Sequence, residues 1–287
     1  MAGMGTRDIK RKIKSVNNTK QITKAMELVS TAKLKRNKDR MDVTKPYFET
    51  VIETVQSIIR NEKSLKHEFI NKREVRKSLY IVITADRGLC GGYNINAMKK
   101  AIGEMTDKES SLVITIGRKA KGFFNKHEFE IVKSFEGISE APQFGDAQEI
   151  ARTAMQLYKH EDVDEIKLVY SRLISTISQE PTVLKLLPIE AEAKVENDDE
   201  DFEFINYQPS AEEVLSYVIP KYIDSTIFGG LIESAAAEQA ARRVAMESAS
   251  DNAEDMIDKL TLSFNQARQS AITQEISEIC GGAEALK

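Results

Sequence analysis

Two glycine-bearing stretches hold the residues whose spacing comes nearest to chemistry. Asp86-Arg87-Gly88-Leu89-Cys90-Gly91-Gly92 follows a short apolar run, where a dinucleotide-binding loop would sit. Its spacing is not GxGxxG, and a strand-to-helix turn uses glycines for backbone reasons alone, so a turn or an interface is the favoured reading. Gly117-Arg118-Lys119-Ala120-Lys121-Gly122 has the first six positions of a phosphate-binding GxxxxGK[ST] loop. Phe123 and Phe124 then stand where the lysine and the Ser/Thr are required. Without an ammonium for the β/γ-phosphates or a hydroxyl for magnesium, the stretch is not expected to hydrolyse ATP.

The other reactive residue types are scattered. Cys90 and Cys280, and His67, His127 and His160, fall into no CxxC or HExxH spacing, so neither a metal site nor a catalytic thiol is expected. Two distant cysteines fit a reducing compartment. Carboxylates are plentiful but lie on helical stretches with no enclosing pocket in view, and no nucleophile–base pair stands out. Arg242, Arg243 and Arg268 read as exposed charges by default. Charge is uneven along the chain: Arg7 to Lys45 carries 13 Lys/Arg against 4 Asp/Glu, and Glu190 to Glu203 carries 8 acids against one Lys. The basic segment has no interleaved aromatics and its charges surround an apolar seam, which favours a solvated face or contact with an acidic protein surface over nucleic acid or anionic lipid. No run of about 18 apolar residues is present to span a membrane. The basic start continues into a periodic pattern, which sets it apart from a transit peptide.

These residues must be positioned by three kinds of element. From Thr6 to Arg87 there is no glycine, and the first proline is Pro46. With Thr6 as cap, Ile9, Ile13 and Val16, then Ile22, Met26 and Val29, predict a helix of about 40 residues or more, possible past Pro46 through Val51, Val55 and Ile58. The middle alternates strands (Leu79–Thr84, Leu112–Ile116, Phe129–Phe135, Ile166–Tyr170, Thr182–Ile189) with helices (Ile95–Met105, Lys119–Asn125, Ala147–His160), an α/β domain with a mostly parallel, Rossmann-like sheet. Ser210-Ala211-Glu212-Glu213 has capping-box form and opens a helix with no proline after Pro220. Heptad columns follow: Met246, Ala253, Leu260, Ala267; Ala249, Met256, Ser263, Ser270; and Ile257, Phe264, Ala271. Lean in aromatics at 7% and 30% charged, the chain suits long exposed helices. The expected architecture is an antiparallel coiled coil of N- and C-terminal helices carrying an inserted α/β domain. Its parts are a helix at 1–60, the α/β domain at 75–190, an acidic loop at 191–209 and the second helix at 210–287. That combination favours a mechanical or scaffold protein over an enzyme, a nucleotide-binding α/β enzyme with a coiled-coil dimerisation arm being the alternative.

Three stretches go further. IKRKIKSVNNTKQITKAMELVSTAKLKR (Ile9–Arg36) resembles the N-terminal helix of the gamma subunit of F-type ATP synthases, and TADRGLCGGYN (Thr84–Asn94) its hallmark after the first strand. ITQEISEICGGAEA (Ile272–Ala285) fits its C-terminal signature, and Leu231–Ile257 is similar in kind. The resemblance implies a non-catalytic central-stalk rotor without cofactor. Its paired helices stand inside an alpha/beta hexamer, its α/β domain meets epsilon and the c-ring, and ion flow is coupled to ATP synthesis or hydrolysis in beta. It implies beta contacts at Met26, Arg268, Gln269, Thr273 and Glu275, with Arg242 a weaker member. It implies c-ring or epsilon contacts at Asp86, Tyr207 and Gln208, where the family places an acid at the last position and this chain departs from it. The inserted cysteine pair of the light-regulated chloroplast form is absent. A peripheral place on the cytoplasmic face of a bacterial plasma membrane follows from the same resemblance, and the coupling ion, proton or sodium, stays open because its ligands lie in other subunits.

Overall fold

The computed structural model describes residues 5–61, 67–190, 207, 208 and 210–285. Two helices dominate the chain, α1 (Thr6–Asn61) and α5 (Ala211–Ala285). Between them run β1 (Ser78–Ile83), α2 (Tyr93–Glu104), β2 (Ser111–Ile116), α3 (Arg118–Lys126), β3 (Glu130–Phe135), α4 (Phe144–Lys159), β4 (Glu165–Leu173) and β5 (Gln179–Leu187). The chain divides into two compact units, Met1–Ser30 with Arg243–Lys287, and Thr31–Arg242.

In the first unit the ends of α1 and α5 pair antiparallel. Thr23 Oγ1 meets Ser250 Oγ at 2.7 Å, and Lys20 meets Glu254 at 2.9 Å. The seam on α5 is Met246, Ser250, Ala253, Ile257, Leu260 and Phe264, alternating steps of four and three as a coiled coil requires. The Met246 column and Ile257 and Phe264 therefore lie in the seam, while Ala271 is exposed beyond it. The Ala249 column flanks it, with Met256 47% exposed. On α1 the apolar pattern and the packed face part company after Val16. Thr23 and Ser30 are buried, while Ile22 and Val29 are 61% and 55% exposed. Helical phase explains the shift: Ile9, Val16, Thr23 and Ser30 are seven apart and share one stripe, and the Ile22–Val29 pair lies one residue round from it. Thr6 is the first helical residue and not the cap, since the Gly5 carbonyl takes the N–H groups of Asp8 and Ile9.

The second unit is a five-stranded sheet in the order β3-β2-β1-β4-β5. The first four strands are parallel, and β5 runs antiparallel to β4. The turn from Leu173 to Gln179 is too short for a crossover helix, so β5 must return beside β4. Alternation along β1 splits the core. Leu79, Ile81 and Ile83 face α4, the α1 residues Val55 and Ile58, and the α5 residues from Leu215 to Ile232. Tyr80 and Val82 face Met98 and Ala101 of α2 and Phe124 of α3. Helices on both faces are why the strands read as continuous apolar runs. α1 passes through Pro46, whose ring nitrogen has no proton for an i→i−4 bond. It runs on because Phe48, Val51, Ile52, Val55 and Ile58 pack into the core. The Gly229–Gly230 pair has a packing reason as well: a Cβ on Gly230 would stand 2.9 Å from Leu168 Cδ2, so any side chain there would force the Leu168 methyl aside where α5 crosses β4.

Ser210 opens α5, its hydroxyl accepting the Glu213 N–H. Of the acidic stretch Glu190–Asp201, all but Glu190 lies outside the described residues. Glu190 pairs with Lys185 and Lys72.

Candidate functional site

The two glycine-bearing stretches of the sequence meet at the C-terminal edge of the sheet, and each satisfies the other. Asp86 Oδ1 accepts the N–H of Arg118 at the start of α3, and Oδ2 accepts the Gly137 N–H and the Ser139 hydroxyl. The Lys119 N–H goes to the Ala85 carbonyl and the Ala120 N–H to Thr84 Oγ1. The first N–H groups of a helix form an anion site. Here a carboxylate and the chain's own oxygens occupy the place a phosphate would take. Gly117 has φ 88°, and a Cβ there would stand 2.3 Å from the Thr84 carbonyl oxygen, so its glycine serves backbone approach.

The crevice beside β1 and β4, where an open α/β sheet holds its ligand, is filled by α5. Ala85, Cys90 and Tyr93 pack on Ala237 and Ala241. The Tyr93 hydroxyl donates to the Ser234 carbonyl (3.2 Å), the Ser171 N–H to Ser234 Oγ (3.2 Å) and the Leu173 N–H to Glu233 Oε1 (3.1 Å). Small residues on α5 allow this contact, and a Leu at 237 or 241 would lift the loop away. A nucleotide would have to displace a buried helix.

Charge is built into the same place. Glu238 and Arg242 form an ion pair at 2.7 Å with side chains only 1% and 7% exposed, and Arg242 also donates to the Gly88 carbonyl at 3.3 Å. Burial pushes the Glu238 carboxyl up, and the Arg242 guanidinium pulls against it. Its Oε2 has no hydrogen-bond partner. Cys90 accepts from Asn94 Nδ2 at 3.1 Å, and burial raises its thiol above the ordinary range, the opposite of an activated nucleophile. Burial likewise drives the Tyr93 phenol well up. Lys33 on α1 reaches Glu140 at 2.6 Å and holds its carboxyl below the usual range, while Arg40 donates to the Pro142 carbonyl. Sequence reasoning took Arg242 as an exposed charge and passed over Glu238. The available signal was their i,i+4 spacing within an alanine-rich run that has almost no other charge.

Of the residues expected to touch other chains, Arg242 and Asp86 belong to this knot. Arg268, Gln269, Thr273 and Glu275 are all exposed on α5, and Met26 on α1 is half-buried. Every residue from 268 to 283 is exposed. By the pairing of Thr23 with Ser250, Thr6 lies level with about Ala267, so α5 continues as a single helix beyond it. Along that stretch Ile272, Ile276 and Ile279, at i, i+4 and i+7, stand 48%, 56% and 71% exposed. Tyr207 is partly buried against the main core and Gln208 is exposed. Asp86 is committed to the loop network, its side chain 8% exposed. Among the described residues no group of His, Cys, Asp and Glu is placed to hold a metal, and no helix is long and apolar enough to cross a membrane.

Comparison with known proteins covers nearly the whole chain. The family model described as ATP synthase matches residues 5–286. The ATP synthase gamma chain of Alkaliphilus metalliredigens is 54% identical over 99% of this chain and 100% of its own length. The sodium-ion-specific ATP synthase gamma chain of Acetobacterium woodii is 45% identical over 97% and 98%. Among solved structures, a chain of the Euglena gracilis mitochondrial ATP synthase rotor aligns with TM-score 0.66 at 19% identity, covering 93% of this chain and 98% of that one. A chain of the Tetrahymena thermophila central stalk and c-ring structure aligns with TM-score 0.61 at 24% identity, over 80% and 99%.

Proposed function

The chain belongs to the ATP synthase gamma chain family, and from that premise we propose how it works as the central-stalk rotor subunit. The paired ends of α1 and α5 stand inside a hexamer of alpha and beta subunits, and the sheet unit meets epsilon and the c-ring. Catalysis resides in beta, so this subunit acts on ATP chemistry only by what it presses against. The subunit sits peripherally, on the cytoplasmic face of a bacterial plasma membrane.

One observation carries the reading: α5 runs on past α1 with every residue from 268 to 283 exposed and an isoleucine stripe along one side. A lone helix with an apolar stripe is stable only against a partner surface. Gln269 and Thr273 lie one step round from that stripe, with Arg268 and Glu275 flanking it, so apolar bearing and polar contact share one helix end. These four and Met26 are the proposed beta contacts. Arg242, buried and paired, contributes by holding the Gly88 loop against α5. Tyr207 and Gln208 are the proposed contacts toward the c-ring and epsilon, and Asp86, third of that set, acts by shaping the loop it holds together. A shaft whose sides differ gives each beta subunit a different contact set, and a conformational equilibrium shifts only by such differential contact energy.

The test is co-purification of the tagged chain with alpha and beta subunits, followed by ATPase assay with and without it. A stable complex whose sustained hydrolysis depends on this chain is the expected result. Failure to join the hexamer while the sheet unit is folded, or tight binding of ATP or NAD to the isolated chain, overturns the proposal.

A further inference from the structure

His67 lies just after α1, buried where α4 and the first turns of α5 converge. Its Nδ1 accepts the Phe69 N–H at 3.3 Å. Nε2 must then carry the proton of the neutral ring, and it donates to Ser216 Oγ at 3.0 Å, which donates in turn to the Glu212 carbonyl at 2.9 Å. The turn that Nδ1 closes is itself fastened to the core. The Phe69 carbonyl takes the Ile189 N–H at 2.8 Å, the His67 carbonyl takes those of Ile70 and Asn71, and the Phe69 ring packs on Tyr158. One imidazole thus ties the turn after α1 to the start of α5, and the turn's own backbone holds Ile189 beyond β5.

We infer that His67 is a protonation latch: the neutral ring closes the clasp between the 67–71 turn and the foot of α5, and a second ring proton opens it. A protonated Nδ1 would aim an N–H at the Phe69 N–H, two donors with no acceptor between them on a ring that keeps little exposed surface. Among the described residues the surrounding charges do not supply one. Glu68 is engaged with Lys159 at 2.8 Å, Lys159 lies over the Phe69 ring, Arg152 faces the site from α4, and α5 offers only the Ser216 hydroxyl and the Glu212 main chain. Burial lowers the His67 pKa, Lys159 adding to the effect and Glu68 opposing it. The fold therefore prefers the neutral ring. The clasp is fully closed above the ordinary histidine value of about 6.5 and is lost as pH falls through it and on through the lowered folded value. Tyr207 and Gln208 come just before α5, so acid release would loosen the foot of the rotor. That consequence rests on the function proposed above; the latch does not.

The test is a pH titration of the full chain labelled with ¹⁵N at histidine, reading the tautomer from the ring nitrogens, combined with amide exchange corrected for intrinsic rate. The expected result is a His67 ring with Nε2–H and bare Nδ1 at neutral pH, titrating below the ordinary histidine value. Protection at Phe69 and Ile189 should fall about tenfold for each pH unit by which that pKa is lowered. In His67→Asn the side-chain oxygen can still accept the Phe69 N–H as an Asx turn, so protection there should no longer depend on pH. An Nδ1–H tautomer at neutral pH, or protection that holds while His67 takes its second proton, overturns the latch. Both readouts come from the unsubstituted chain, so they decide the matter even if the variant does not fold, and neither depends on rotor function.

Discussion

Between Tyr222 and Arg242, α5 buries residues on every side, including Ser225, Ser234, Glu238 and Gln239. Between Arg243 and Ala283 the same helix buries only Met246, Ser250, Ala253 and Leu260. Both stretches are rich in good helix formers, so propensity does not distinguish them. What differs is the source of stability. The first stretch is the centre of a core, wedged against β4 through Gly230 and against the Asp86–Gly92 loop through Ala237 and Ala241. The second has a thin seam and leaves most of its circumference to water or to other subunits. One helix thus carries a stretch fixed in a core and a stretch whose surface is free to be read.

One substitution placed in each regime should expose the difference. Ile227→Asp puts an unpaired carboxylate into a site with no exposed surface and should cost about 4 kcal/mol or more, enough to unfold the sheet unit. Thermal unfolding followed by circular dichroism checks it, and a shift of only a few degrees in Tm would mean that α5 is not the centre of that core.

Neighbouring ion pairs sharpen the same contrast. Glu238→Ala leaves Arg242 buried without its carboxylate and should cost about 3–5 kcal/mol. Glu247→Ala, nine residues on, removes the partner of Arg243 from a pair whose acid is half exposed and should cost about 0.5 kcal/mol. Equal losses in paired melts would show that the boundary near Arg242 has been drawn in the wrong place.

Ile257→Asp falls between the extremes, since the seam covers Ile257 only in part. A loss of about 1–2 kcal/mol is expected, with hydrogen exchange rising along the seam from Met246 to Leu260 while the sheet amides stay protected. Loss of protection in β1 or β4 would mean that the two regions unfold as one.

The sequence made these regions legible to different degrees. Strands of the sheet, the helix through Pro46 and the Met246–Leu260 column follow from periodicity, because apolar residues there face the packed side. The α1 seam did not, because Thr23 and Ser30 occupy it while Ile22, Leu28 and Val29 point outward. Apolar periodicity reports where a helix wants a partner, and this helix has two sets of partners to satisfy. The antiparallel return of β5 was hidden because strand order is set by connection length and packing, which a run such as TVLKLL does not record. Glu238 and Arg242 were hidden for a simpler reason: a charged residue reads as exposed until its counter-charge is known to be buried with it. Asp86 stood in plain view, but its three hydrogen-bond donors come from Arg118, Gly137 and Ser139, far along the chain.

The smallest expected effect on stability is the one that bears most on the comparison. Ile276→Asp lies where α5 has no neighbour among the described residues, so the isolated chain should melt within about 0.5 kcal/mol of the parent. If the exposed stripe is the bearing surface proposed for it, the same carboxylate must be desolvated whenever the chain enters the hexamer. Assembly with alpha and beta, or the ATPase rate that depends on it, should then fall although stability has not changed. Unaltered assembly would make the stripe an incidental feature of a helix end and move the contact to the polar face bearing Gln269 and Thr273. A destabilised isolated chain would instead mean that Ile276 already has an internal partner, and that the second regime of α5 begins further along the helix than Arg243.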